Sequence, residues 1–251
     1  MPKLNKVHPL KKDLKLIVRL IELRVIEPVL FLCRSLFGSE EKYYSAVMSL
    51  RNLIRSIGGL SLTANIEQSK PRANTYTDRF NAETRVLEIG CGELGLGFHL
   101  IKYLPPGAYV GVDISRPTLK TAENIIKNDV QLTEKIPKVL VTKNANDVGR
   151  IAQEQKSNTF IFNSVFTHMS ATLIEDYLMM LGQLPGPNLT VIGDICVPNS
   201  GGSFQERGVD FRYTVADFKK LCGNTNWKCD TQKDSNSTDV YTSYIFTLTQ
   251  H

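Results

Sequence analysis

The sequence predicts an α/β fold: a doubly wound, seven-stranded sheet closed by a C-terminal antiparallel hairpin, with a helical extension ahead of it. Three observations carry this expectation. The stretch 85–100, RVLEIGCGELGLGFHL, runs from a short apolar segment (Val86, Leu87, Ile89) into glycines spaced G-x-G-x-x-G at Gly90, Gly92 and Gly95. Leu96, Phe98, Leu100 and Ile101 then fit one face of a helix, so the stretch reads as strand, tight turn, helix. Further apolar runs of strand length alternate with helical patterns up to Asp194, as a parallel sheet with crossover helices requires. Finally, residues 227–232 and 241–249 read as two β segments joined by the polar turn KDSNSTD.

The glycines let the chain turn sharply and let a ligand approach where a Cβ would clash. The free N–H groups at the following helix start then meet electron-rich ligand groups. Glycine spacing alone is a weak signal, and two acids strengthen it. Glu88 stands two residues before Gly90, at the carboxyl end of the first strand, and residues 109–113, YVGVD, read as a second strand ending in Asp113. A carboxylate at that place accepts both hydroxyls of a ribose.

E-I-G-C-G followed by V-G-V-D-I-S resembles the class I (Rossmann-like) S-adenosylmethionine-dependent methyltransferases, over roughly residues 80–251. The resemblance implies that Glu88 faces the cationic amino-acid end of the cofactor and that Asp113 holds its ribose. It also implies that Gly90, Cys91, Gly92, Gly95 and Ile114 line the cofactor. In that family the third glycine usually falls two residues after the second. Here Leu94 holds that place and glycine comes at Gly95, as if the loop carried one extra residue. A nicotinamide dehydrogenase has similar glycines, but an acid just ahead of them and a terminal hairpin are not typical of it.

The net charge of +5 is an N-terminal property. Residues 1–37 carry eight Lys or Arg against three Asp or Glu, whereas residues 38–251 carry 22 of each sign. A balanced domain argues against a nucleic-acid-binding face. The five cysteines (Cys33, Cys91, Cys196, Cys222, Cys229) include no C-x-x-C pair, so no zinc site is expected. Their odd number and scatter suit a reduced, cytoplasmic protein. Cys91 reads as a small packing residue inside the loop.

Domain boundaries follow from composition. Residues 1–80 form the extension and residues 81–251 the α/β domain. Residues 10–37 read as an amphipathic helix interrupted by Pro28, with Lys12, Lys15, Arg19 and Glu22 spaced three or four apart. The apolar runs there are too short to cross a membrane, and charges interrupt them, which excludes a signal peptide. A cap or oligomer contact is one reading of this segment; peripheral contact with an anionic membrane surface is the other. Residues 40–57 read as a second helix. In the resembling family such helices often roof the acceptor pocket, which makes Tyr43 and Tyr44 acceptor-facing candidates beside their plainer reading as core tyrosines. Residues 61–84 are polar, contain Pro71 and read as a connection.

Within the α/β domain, residues 138–142 read as the third strand. Asn144 follows at the place where the family binds the adenine amine, with Asn146, Asp147 or an ordinary turn as alternatives. Residues 159–163, TFIFN, form the fourth strand, and SVFTH follows at its carboxyl end, where open α/β sheets bind ligands. The resemblance places Asn163 and Ser164 beside the methyl donor. His168 is the candidate general base, or else a helix-orienting residue. Residues 189–194 form the fifth strand; Asp194 at its end is either an acceptor contact or a structural carboxylate. The polar loop 198–213, bearing Glu206, Arg207 and Arg212, is placed to act as a lid. Thr214 caps the next helix with Asp217 at its third position, and Gly223 stops it.

The function expected is methyl transfer from S-adenosylmethionine to oxygen or nitrogen of a small-molecule acceptor: a metabolite, a glycan or a lipid-linked compound. The alternative is a non-catalytic cofactor-binding or scaffold subunit.

Overall fold

The computed structural model describes residues 42, 43, 46, 50, 66–186, 188–199, 205–207, 210–234 and 241–250. The chain divides into two compact units, Met1–Ala64 and Asn65–His251. The predicted helix over 10–37, Tyr44 and most of the predicted helix over 40–57 lie outside the described residues. Tyr43 is helical and buried.

The second unit opens with α1 (Ile66–Thr77), then β1 (Val86–Ile89), α2 (Gly97–Tyr103), β2 (Tyr109–Asp113), α3 (Arg116–Asn128) and a short α4 (Val130–Glu134). β3 (Lys138–Val141), α5 (Ala145–Gln155), β4 (Thr159–Phe162), a 3-10 turn (Phe166–His168), α6 (Ala171–Gly182) and β5 (Thr190–Pro198) follow. A two-stranded ribbon, β6 (Gln205–Arg207) with β7 (Asp210–Arg212), leads to α7 (Val215–Asn224), β8 (Trp227–Lys233) and β9 (Tyr241–Gln250). The strands join in the order β3-β2-β1-β4-β5-β9-β8. The first five are parallel, β9 runs antiparallel between β5 and β8, and the predicted terminal hairpin is in place.

Strand alternation divides the interior into two cores, one on each sheet face. Leu87, Ile89, Phe160 and Phe162 pack toward α5, α6 and α7, where Ile151, Leu178 and Phe218 meet them. Val86, Ile161, Ile192 and Ile245 face the other way, toward Tyr76, Leu100 and Leu119 on α1, α2 and α3. Burying each of these larger side chains contributes roughly 1.5–3 kcal/mol. Gly193 sits where the sheet is tightest: an added Cβ would stand 2.5 Å from the Phe162 carbonyl oxygen and 2.5 Å from the Phe246 ring. Gly193→Ala is therefore expected to cost about 1–3 kcal/mol as an overpacking change, read as a lowered midpoint in urea unfolding.

Three expectations are corrected. The stretch read as a connection holds the helix α1, with Ala73, Tyr76 and Thr77 buried. The proposed lid loop contains the β6–β7 ribbon, anchored by buried Phe211 and Tyr213, whose hydroxyl donates to the Met169 carbonyl at 2.6 Å. Gly223 does not stop α7, which runs on to Asn224; Gly223 has no left-handed backbone, so it offers no helix stop there. The Thr214 cap is as expected, its Oγ1 accepting the Asp217 N–H at 3.1 Å.

Candidate cofactor and methyl-transfer site

The carboxyl ends of β1, β2 and β4 lie side by side, since β1 pairs with both neighbours. The glycine loop leaves β1 in a sharp turn, with Gly90 at φ +70°, Gly92 at +55° and Leu94 at +66°. Gly90 is also sterically fixed, because a Cβ there would meet Val165 Cγ2 at 2.6 Å. Around Gly92 an added Cβ would meet nothing within 4 Å. Conformation, together with open space beside the backbone, is what calls for glycine at that position.

Leu94 corrects the idea of an extra residue in the loop. It takes the left-handed conformation itself at the place where the family usually has glycine, whereas Gly95 does not. The strain is of order 1–2 kcal/mol, and complete burial of the Leu94 side chain opposes it. A further close-packing glycine, Gly97, was not singled out by spacing. A Cβ there would stand 2.3 Å from the Tyr109 hydroxyl and 2.8 Å from Glu88 Oε2.

Asp113 ties the loop to β2. Its Oδ2 accepts the Gly92 N–H at 3.0 Å and its Oδ1 accepts the Ser115 N–H at 2.8 Å. Burial lifts its carboxyl above the ordinary range, and these backbone donors partly offset that. The Ile114 N–H is a third backbone donor to it, and a carboxylate with about four acceptor sites still keeps acceptor capacity for a hydroxyl. Ile114 is half-buried next to it.

Glu88 is 2% exposed and accepts a 2.5 Å hydrogen bond from the Tyr109 hydroxyl. Burial pushes its pKa up to about 8, opposed by the Tyr109 bond and assisted by Asp113. At neutral pH without a cation nearby it is mostly protonated. Cys91 packs beneath the loop against Gly111, whose Cβ position lies 2.8 Å from its Sγ. Burial raises the Cys91 thiol well above its usual value, which removes it as a nucleophile and leaves the packing role.

Asn144 caps α5: its Oδ1 accepts the Asp147 N–H at 3.0 Å, while Asp147 Oδ2 accepts the Lys143 N–H at 3.0 Å. The bond from the Asp147 N–H is an N-cap and engages one of the two lone pairs of Asn144 Oδ1.

At the end of β4, Ser164 adopts φ +57°, an uncommon conformation for serine. Asp194 holds it there, its Oδ1 accepting the Ser164 N–H at 2.5 Å. Asp194 is 2% exposed and lies inside β5, not at the rim. Its partner is Arg72 of α1, a residue the sequence reading missed. Arg72 Nη1 donates to Asp194 Oδ2 at 3.1 Å and to Asn163 Oδ1 at 3.1 Å, and its Nη2 donates to Asp234 Oδ2 at 2.6 Å. Burial lowers the Arg72 pKa, but Asp194, Tyr76 and Asp234 outweigh it and keep it above its usual value. For Asp194, burial dominates and lifts the carboxyl, with Arg72 and Ser164 pulling the other way. His168, half-buried, closes the 3-10 turn four residues beyond Ser164, and that turn packs beside β7.

No protein-family model matches this sequence, and no curated protein matches it. Solved structures do. Magnesium protoporphyrin IX methyltransferase from Synechocystis PCC 6803 with bound S-adenosylmethionine is 18% identical, over 79% of this chain and 83% of that one, with a TM-score of 0.55. The glycopeptide N-methyltransferase MtfA is 9% identical, over 72% and 95%, with a TM-score of 0.58. A methyltransferase from Methanosarcina mazei is 10% identical, over 70% and 96%, with a TM-score of 0.57. The chain has the class I S-adenosylmethionine-dependent methyltransferase fold. Within this methyltransferase fold the glycine loop, Glu88, Asp113, Asn163 and Ser164 all stand at the carboxyl ends of β1, β2 and β4. Among the described residues, no helix is long and apolar enough to cross a membrane.

Proposed function

We propose that the protein is an S-adenosylmethionine-dependent methyltransferase acting on oxygen or nitrogen of a small-molecule acceptor. The observation that carries this reading is the Gly90–Gly92 turn held to the β2 carboxylate. Gly92 leaves open space beside its backbone, and Asp113 keeps acceptor capacity beside it. A cradle shaped this way fits an adenosyl nucleoside. The equal charge balance of residues 38–251 favours a small acceptor over a nucleic acid.

When bound, the cofactor supplies a methyl group on a sulfonium, already electrophilic. The protein's own residues hold and align. Asp113 takes the ribose hydroxyls, and Glu88 ionises to meet the amino-acid end. Asn163 and Ser164, fixed by Arg72 and Asp194, border the place of transfer. Alignment of the acceptor supplies much of the rate in such a displacement. His168 is the candidate base for a proton lost from the acceptor.

Asp113→Asn keeps the side-chain shape but loses one carboxylate acceptor, and it is expected to weaken binding of S-adenosylhomocysteine about tenfold by calorimetric titration. Unchanged affinity would remove Asp113 from the ribose site. With an acceptor in hand, His168→Ala is expected to lower turnover on the order of 10²-fold. Turnover near that of the parent at every pH would overturn the base role.

A further inference from the structure

Two cysteines outside the candidate site lie against each other. Cys222 stands in the last turn of α7 and Cys229 is the third residue of β8, with six residues between them. α7 packs on β8, the outermost strand on that side of the sheet. Side chains alternate along β8, so Cys229 shares the inward face with buried Trp227, while Lys228 and Asp230 are exposed. Cys222 is fully buried in the core that α7 covers, and half-buried Cys229 packs against that core. The two thiols meet there, the Cys222 S–H donating a hydrogen bond to the Cys229 sulfur.

The pair is not symmetrical. The bond from Cys222 favours the Cys229 thiolate and burial opposes it; the Lys219 ammonium favours it and Asp230 opposes it. The net effect holds the Cys229 thiol below its usual value. Lys219 lies three residues before Cys222 on α7, on a neighbouring part of the helix surface. Cys222, the donor in that bond and itself buried, is pushed well above its usual value. A thiolate within reach of solvent is the reactive form of cysteine, and a second thiol in contact with it can resolve the oxidised product.

We propose that Cys229 is a peroxide-reactive thiol and that Cys222 resolves it, forming a reversible disulfide that clamps α7 to β8. The oxidant is a hydroperoxide, hydrogen peroxide in the simplest case. The Cys229 thiolate attacks one peroxide oxygen: an S–O bond forms, the O–O bond breaks, and the departing hydroxide takes a proton to become water. The Cys222 sulfur gives up its proton and attacks the sulfenic sulfur: the S–S bond forms, the S–O bond breaks, and a second water leaves. The two thiols lose two electrons and one peroxide gains them. A small dithiol reverses the change by exchange. Transient disulfides of this kind occur in otherwise reduced proteins.

The test treats the folded, reduced full chain with one equivalent of hydrogen peroxide, blocks the remaining thiols by alkylation and digests with trypsin. Cleavage after Lys220, Lys228 and Lys233 puts the two cysteines on separate peptides, 221–228 and 229–233. The expected product is these two peptides joined by a disulfide and parted again by dithiothreitol. Cys222→Ser is expected to abolish the joined product and to leave Cys229 as a sulfenic acid that dimedone traps. Cys229→Ser is expected to abolish both signals, because buried Cys222 does not react alone. Oxidation of the parent that leaves Cys222 a free thiol overturns the pairing. Sulfenic acid at Cys222 in the Cys229→Ser protein overturns the assignment of roles. The measurement on the parent needs no variant, and thermal melts establish that each variant is folded.

Discussion

Arg72→Met is expected to destabilise the protein by about 3–5 kcal/mol, the cost of removing one partner from a buried ion pair. Asp194 is 2% exposed and its Oδ2 faces the guanidinium, so the substitution leaves a buried carboxylate without its cation. Asp234 loses a 2.6 Å contact at the same time. The damage should spread locally, because Asp194 also holds Ser164 in its left-handed conformation. The pairing makes a second, sharper expectation. Adding Asp194→Asn to Arg72→Met removes the stranded charge, so the double variant should be more stable than the sum of the two single effects implies. Urea unfolding of the four proteins measures this. Strict additivity would mean that the two residues do not act as a pair.

Glu88→Gln is expected to stabilise the unliganded protein, and by more as the pH rises. The carboxyl titrates near 4.5 when unfolded and at about 8 in the fold. Between those values the folded state holds a proton that the unfolded state has released. Folding stability due to Glu88 is therefore fully present below pH 4.5 and falls as the pH rises toward 8. The slope is about 1.4 kcal/mol per pH unit. Glutamine keeps the shape and a partner for the Tyr109 hydroxyl but does not titrate. Its advantage should be small at pH 4 and on the order of 3–5 kcal/mol near pH 8. The same substitution should weaken the cofactor, since an amide cannot neutralise an ammonium. In the parent protein, ligand binding at pH 7 should release a proton from Glu88, visible as a dependence of the titration enthalpy on the buffer. A pH-independent stability difference would mean that Glu88 is ionised throughout.

Much of the fold was legible in the sequence because its signals are apolar and local. The strands at 86–89 and 159–162 are continuous hydrophobic runs, buried on both faces as central parallel strands must be. The hairpin of β8 and β9 announced itself by a polar turn between two strand-like runs. Helix α1 did not, for a physical reason. Its inward stripe is Arg72, Ala73, Tyr76 and Thr77, at helical spacing but half polar, and Pro71 lies in its middle. Hydrophobic periodicity does not detect a face buried around an ion cluster. The spacing i, i+1, i+4, i+5 was the only available sign.

The same split runs through the site. Glu88, Gly90, Gly92 and Asp113 were legible because backbone conformation and charge fix their residue types. The left-handed Leu94 was not, since only the folded core makes that conformation tolerable for a leucine. Asp194 was seen, but its role depends on Arg72 from 122 residues away in the sequence. For Asn144, register suggested the adenine amine, and the folded chain adds the helix cap that its oxygen completes.

The measurement that tests the central claim most directly is calorimetric titration of the parent protein with S-adenosylhomocysteine and, separately, with a nicotinamide dinucleotide. Micromolar binding of the homocysteine nucleoside, with none of the dinucleotide, is the predicted result. Binding of the dinucleotide, or of neither, would contradict the methyltransferase account.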